Sequence, residues 1–238
     1  MPGLKGQFEA IAKQARASGE SLETYLLACL SAEIDSRRQH RLASRIKIAK
    51  FPQAKTLDEF DFSLVPSLSK EAVLSLAAGD FVGAKENVVC LGASGTGKTH
   101  VAIAIGLAVI YAGSRVRFTT AVSLAQELLA AADEHRLPKY LKSFKSADLV
   151  VIDELGYLPL GPGGPLLFQF CAERYEAGSI LVTSNLEFSR WSEIFGDATL
   201  TTALLDRLTH HSHILLFEGE SYRFRQSKQR QRADGKKK

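Results

Sequence analysis

Four short segments of this 238-residue chain hold residue types that can do chemistry together. The first is Gly92-Ala93-Ser94-Gly95-Thr96-Gly97-Lys98-Thr99, which matches G-x-x-x-x-G-K-[ST]. Glycines let a backbone close round phosphate oxygens, and successive N–H groups at a helix N-terminus offer them partial positive charge. In such a loop Lys98 reaches the β and γ phosphates and the Thr99 hydroxyl ligates Mg²⁺. The second segment is Leu149-Val150-Val151-Ile152-Asp153-Glu154, four apolar residues followed by two carboxylates. Carboxylates at the C-terminal end of a buried strand lie where ligands of open α/β sheets sit. There Asp153 is placed to hold Mg²⁺ and Glu154 to polarise an attacking water. The third is Thr183-Ser184-Asn185, where Asn185 can orient that water beside the γ-phosphate. The fourth is Ala203-Leu204-Leu205-Asp206-Arg207-Leu208. Arg207 suits either transition-state charge stabilisation from a neighbouring subunit or a surface salt bridge.

The elements that must position these groups follow from hydrophobic periodicity. From about Asp58 the pattern alternates helices with short apolar runs at Val88 to Leu91, Val116 to Thr119, Leu149 to Ile152, Ile180 to Thr183 and Ile214 to Phe217. Short runs rich in β-branched residues fit parallel strands buried on both faces, and the helices between them predict an α/β class with helices on both faces of the sheet. The phosphate-loop motif follows the first run and opens a helical pattern from Lys98 to Ala112, the context it needs. Ahead of this lies a helical module. Leu22, Tyr25, Leu26, Cys29, Leu30 and Ile34 recur at helical spacing, and Ser18 to Glu23 supplies N-cap and first-turn chemistry. A second pattern carries Leu42, Ile46 and Ala49 and ends at Phe51-Pro52, since the residue before a proline is driven out of the α region.

Composition removes other classes. Hydrophobic residues at 45% and charged residues at 24% support an ordinary core rather than wholesale disorder or a collagen-like chain. The longest nearly apolar stretch, Val101 to Ala112, is too short for a bilayer, which needs about twenty residues. The N-terminus lacks a signal-peptide layout. Cys29, Cys90 and Cys171 are odd in number and far apart, which fits neither a disulfide framework nor a zinc site. The expectation is a reducing, cytoplasmic setting with no membrane span.

The net charge of +4 is unevenly distributed. Arg37 to Lys55 holds seven basic residues and no acid, and His135 to Ala147 holds Arg136, Lys139, Lys142 and Lys145 with no acid. The segment from Glu220 to Lys238 holds eight basic residues against two acids. Blocks of one sign are solvated faces or polyanion-binding surfaces, and three of them favour nucleic acid. Arg38, Arg41 and Arg45 share a helix face and form one candidate surface; Arg136, Lys139, Lys142 and Lys145 form the other. No zinc finger or RNA-recognition motif is visible, so phosphate contact is expected rather than base reading.

Taken together, the chain resembles the IstB-like transposition helper ATPases, a branch of the AAA+ superfamily close to the DnaC-like helicase loaders. The resemblance runs from about Leu22 to Gln226. It rests on Phe51-Pro52 with Lys55-Thr56-Leu57, Phe60-Asp61-Phe62, Gly92 to His100, Ile152-Asp153-Glu154-Leu155-Gly156-Tyr157, Arg174-Tyr175, Thr183-Ser184-Asn185, Trp191, Ala203 to Leu208, and Gly219-Glu220-Ser221-Tyr222-Arg223. It implies a P-loop AAA+ core with a five-stranded parallel sheet, a small N-terminal helical module and a reduced or absent lid. The implied divisions are residues 1–55 for DNA or partner binding, 56–225 for the ATPase core and 226–238 as a basic flexible tail.

The resemblance further implies ATP and Mg²⁺ as cofactors, with Gly92 through His100 on the nucleotide and Thr99 and Asp153 on the metal. Glu154 would be the water-activating acid, Asn185 the γ-phosphate sensor and Arg207 a finger acting in trans, while Arg223 would stand in for a missing lid arginine. The implied partners are duplex DNA, further copies of the chain in an ATP- and DNA-dependent homo-oligomer, and a transposase aided in target selection and strand transfer. Hydrolysis would drive disassembly or remodelling. Two alternatives stay open: a DnaC-like helicase-loader ATPase, and an ATP-switched DNA-architectural protein with negligible turnover.

Overall fold

The computed structural model describes residues 2–222 and 224; Arg223 and the basic tail lie outside the described residues. The chain forms two compact units, Met1–Lys47 and Ile48–Lys238.

The first unit is helical. α1 (Pro2–Ser18) and α2 (Leu22–Ala49) are joined by a turn that Ser21 caps, its hydroxyl accepting from the Thr24 N–H at 3.3 Å. The two helical patterns expected after Leu22 are one continuous helix of 28 residues, because no Gly or Pro interrupts Ile34 to Leu42. α1 was not anticipated, although Leu4, Phe8, Ile11 and Ala15 follow helical spacing. It covers a different face of α2 from the apolar stripe. Cys29 and Glu33 are buried, with the Leu4 N–H donating to Glu33 Oε2 at 3.0 Å. Leu22, Leu26, Leu30 and Ile34 stay exposed.

The second unit starts with α3 (Lys70–Ala78) and α4 (Asp80–Ala84), then alternates. Its order is β1 (Asn87–Gly92), α5 (Lys98–Tyr111), β2 (Val116–Thr120), α6 (Ala121–Asp133), α7 (Leu137–Ser143), β3 (Leu149–Leu155), α8 (Gly163–Arg174), β4 (Ser179–Ser184), α9 (Ser192–Phe195), α10 (Ala198–Thr209) and β5 (Ser212–Phe217). The strands form one parallel five-stranded sheet in the order β2-β3-β4-β1-β5. Each expected strand is present and longer by one to three residues. β3 differs in a way that matters, for it continues through Asp153 and Glu154 to Leu155.

Period-2 alternation sends side chains to two cores. Val89, Leu91, Val150, Ile152, Ile180 and Val182 meet Leu124 and Leu128 of α6, Leu167 and Phe170 of α8, and Trp191. The alternate positions Val88, Cys90, Val151 and Leu181 are fully buried on the other face, where α5 packs. α5 buries Val101 through Leu107 without a polar face, as a helix enclosed on all sides must. Each fully buried Val, Leu or Ile contributes roughly 1.5–3 kcal/mol relative to exposure. Caps set the helix starts: Ser69, Thr120 and Asp197 accept from Ala72, Ser123 and Leu200 N–H groups. Among the described residues, Glu218 to Tyr222 and Phe224 are what follow β5, with no helical lid domain. No helix of the described residues is long and apolar enough to cross a membrane.

Candidate nucleotide site

The strand order sets the geometry. β1 leads into the phosphate loop, β3 carries the acids and β4 lies between them, so the C-terminal ends of three neighbouring strands meet in one place. The loop is wound about its own lysine. Lys98, only 6% exposed, donates from Nζ to Gly92 O and Ala93 O, both at 2.7 Å. The Thr96 hydroxyl donates to Ala93 O at 2.8 Å. Gly97 has φ +97° and is the residue from which α5 starts; a Cβ there would lie 2.6 Å from the Phe60 ring. Any side chain would therefore clash and strain the backbone together.

The acids meet the helix that the loop opens. Thr99 Oγ1 donates to Asp153 Oδ1 at 2.9 Å, 54 residues apart in sequence. Asp153 is buried and also accepts from Thr183 Oγ1 at 2.5 Å. Glu154 is half-buried and has φ +61°, a left-handed conformation uncommon for a non-glycine residue. Its N–H donates to Thr183 Oγ1 at 3.0 Å. Asn185, just past β4, has a buried Oδ1 with no hydrogen-bond partner among the described residues. Gly156 (φ +105°) packs against it, a Cβ there lying 2.7 Å from that oxygen. An unpartnered buried acceptor beside two carboxylates has unused bonding capacity.

Several contacts at this site were not read from the sequence. Tyr157 OH and Ser94 Oγ are 2.7 Å apart, joining the loop after β3 to the phosphate loop. The Tyr222 N–H donates to Gly95 O at 2.9 Å, and Ser221 packs on Gly95 where a side chain would collide. His100 Nε2 is 2.8 Å from Thr56 O, and its ring meets Phe60 at 5.3 Å. Phe60 also meets Phe62 at 4.9 Å. Thr183 stands out in the sequence only as part of the Thr-Ser-Asn run. Beneath the loop, burial pushes the Cys90 thiol up to about 12, which keeps it neutral and inert.

Arg207 is not brought to this cluster. On α10 it donates from Nη1 to Ala203 O at 2.8 Å and lies 5.5 Å over the Phe168 ring. Neither the expected salt bridge nor contact with Lys98, Asp153 or Glu154 is seen for it among the described residues.

The basic segment is a short helix with its apolar side inward. Leu141 and Phe144 are buried, while Arg136, Lys139, Lys142 and Lys145 are exposed. Arg136 is paired with Glu134 at 2.5 Å, just outside the stretch read as free of acid, so its charge is partly offset. Arg174, another missed residue, anchors this segment. It is 7% exposed and donates to Phe144 O, Ala147 O, Asp148 O and Ser179 O at 3.1 to 3.3 Å. Burial lowers its pKa to about 10. In the first unit Arg38 and Arg41 are exposed and Arg45 is half-buried.

The donor set suits a hard divalent cation. A buried carboxylate and a helix-borne hydroxyl converge, and oxygen-only ligands with room for phosphates and water are what Mg²⁺ takes. No group of three or more His, Cys, Asp or Glu is placed to hold a metal among the described residues; His210 faces Tyr175 at 2.9 Å and His213 faces Glu86 at 2.7 Å.

Comparison with known proteins agrees with this geometry. The family described as IstB-like ATP binding protein matches residues 1–230. A protein of Geobacillus stearothermophilus, named for ATP binding in insertion sequence IS5376, is 41% identical over 96% of this chain and 91% of its own length. Its counterpart named for IS21 in Pseudomonas aeruginosa is 40% identical over 96% of this chain and 86% of its own. Among solved structures, AMPPCP-bound DnaA from Aquifex aeolicus matches with a TM-score of 0.58 at 21% identity, over 77% of this chain and 56% of that one. DnaI matches at 0.54 and 14%, over 74% and 92%. The fold is the P-loop AAA+ fold.

Proposed function

The chain belongs to the IstB-like ATP-binding family, and we propose that it is an Mg²⁺-dependent ATPase that assembles on duplex DNA and assists a partner transposase. The observation that carries the chemistry is the convergence of Thr99 and Thr183 on buried Asp153, with Glu154 next to it and Lys98 across the loop. A fold that only bound nucleotide would have no need of a second carboxylate held beside the first.

In this reading the N–H groups of Gly95 to Thr99 cradle the phosphates, and Lys98 exchanges the Gly92 and Ala93 carbonyls for phosphate oxygens. Asp153 and Thr99 would hold Mg²⁺, which when bound neutralises charge on the transferred phosphoryl group. Glu154 takes the proton from the attacking water. Asn185 orients that water through its unpartnered amide. The products are ADP and phosphate. Arg207 acts in trans, its position away from the chain's own loop being what a finger donated to a neighbouring copy requires.

The partner assignments rest on charge and kinship. Exposed Lys139, Lys142 and Lys145, with Arg38, Arg41 and Arg45, supply sequence-independent phosphate contacts through counterion release. The relatives are named for insertion sequences, which favours a transposase as the protein partner. The divisions at residues 55 and 225 remain part of this proposal.

Sedimentation with duplex DNA, in ATP, ADP or no nucleotide, tests it for the wild type and Lys98→Ala. A large complex seen only with ATP, DNA and intact Lys98 is the expected result. A monomer throughout, with unchanged DNA affinity, would contradict the assembly.

A further inference from the structure

β4 is the strand between the phosphate loop and the acids, and Thr183 is the residue through which it touches both acids. Its register pairs Thr183 with Cys90 of β1. On the other side the ladder slips: Ile152 pairs with Val182 but Leu155 pairs with Ser184. Three steps on β3 therefore match two on β4, a bulge that falls on Asp153 and Glu154. Bulges bend a strand and re-aim the residues in them.

Such a bulge leaves the Glu154 N–H out of the regular ladder, and the Thr183 hydroxyl takes it, at 3.0 Å. The same hydroxyl gives its own proton to Asp153 Oδ1, at 2.5 Å. A threonine hydroxyl can donate one hydrogen bond and accept others, and here it does both within a side chain that is 1% exposed. Two consequences follow. The Asp153 carboxylate, held at Oδ1 by Thr183 and by Thr99 at 2.9 Å, has its plane fixed. Glu154 is kept at φ +61°, a conformation that persists where surrounding structure over-determines it.

We propose that Thr183 is a positioning residue for hydrolysis, one hydroxyl that sets the metal-binding carboxylate and the backbone of the water-activating acid at the same time. This inference rests on the ATPase reading above. Thr183 acts through Asp153 and Glu154 and has no role of its own toward the nucleotide. Its loss slows turnover and leaves nucleotide binding nearly intact.

Steady-state phosphate release by the full chain, with Mg²⁺ and duplex DNA, tests this on Thr183→Val, which keeps the shape and removes both hydrogen bonds. The expected result is a kcat lower by about 10- to 100-fold, the scale of a misplaced reacting group, with KM for ATP within about threefold of wild type. Thr183→Ser, which keeps the hydroxyl, restores most of the rate. Should Thr183→Val not fold, Thr183→Ala removes the hydroxyl without bulk and is judged by the same criteria. A wild-type kcat in the hydroxyl-free variant, or a rise in KM with kcat preserved, overturns the inference. Glu154→Gln run alongside separates the two readings: if it abolishes release while Thr183→Val does not, only the role of Thr183 fails. If Glu154→Gln releases phosphate like the wild type, the ATPase reading itself fails and this inference falls with it.

Discussion

The nucleotide site and the basic helix α7 are built on opposite principles. At the nucleotide site the functional groups are buried or half-buried and tied to one another: Lys98 to its own loop, Thr99 and Thr183 to Asp153, Thr183 to Glu154. On α7 the cations Lys139, Lys142 and Lys145 are exposed, and only the apolar underside is fixed. Phosphoryl transfer depends on placement to within fractions of an ångström. Contact with a duplex backbone depends mainly on how many cations are present. One region should therefore respond steeply to single atoms, and the other gradually to charge.

Arg174 is where this contrast can be broken most forcefully, because it supports the soft region by hard means. Replacing it with Leu leaves four backbone carbonyls without their donor. The expected loss is about 2–4 kcal/mol of unfolding free energy, by the cost of unpaired buried polar groups, read in a urea titration. An unchanged midpoint would mean that the segment is held by Leu141 and Phe144 alone.

A smaller effect is expected from Lys139, Lys142 and Lys145 changed together to Gln. The slope of log affinity for DNA against log salt should flatten by about three units, near one for each phosphate no longer neutralised, with DNA-free phosphate release unaltered. Fluorescence anisotropy between low and moderate salt measures it, and a slope equal to wild type would remove α7 from the DNA surface. The smallest effect belongs to Tyr157→Phe. Losing one exposed hydroxyl bond to Ser94 should cost at most about 1 kcal/mol, visible as a slight fall in thermal midpoint. A loss of several kcal/mol there would show the loop after β3 to be part of the rigid site.

The same contrast explains what could be read from the sequence. The phosphate loop was legible because its groups are contiguous and each has a local reason: a glycine where a Cβ would strike Phe60, a lysine at the helix start. Asp153 and Glu154 were legible as acids after an apolar run. The bulge that turns Glu154 was not, since a register slip is a property of two strands and leaves no local trace. Thr183 and Arg174 escaped for the same reason, as their partners lie about 30 residues away or are backbone atoms. α1 was missed although its spacing was present, and the apolar stripe of α2 proved exposed because α1 covers the face of Cys29 and Glu33. The acid-free appearance of the α7 segment depended on where the window was drawn, for Glu134 pairs with Arg136.

The central claim is that the paired acids at the end of β3 hydrolyse ATP rather than merely sense it. Single-turnover phosphate release with Mg²⁺ and duplex DNA, comparing wild type with Glu154→Gln, tests it most directly. The expected result is release by the wild type and a rate lower by about 10²- to 10⁴-fold in the variant, the usual contribution of a general base, with ATP still bound. Equal rates in the two proteins, or no release from the wild type above background, would contradict it.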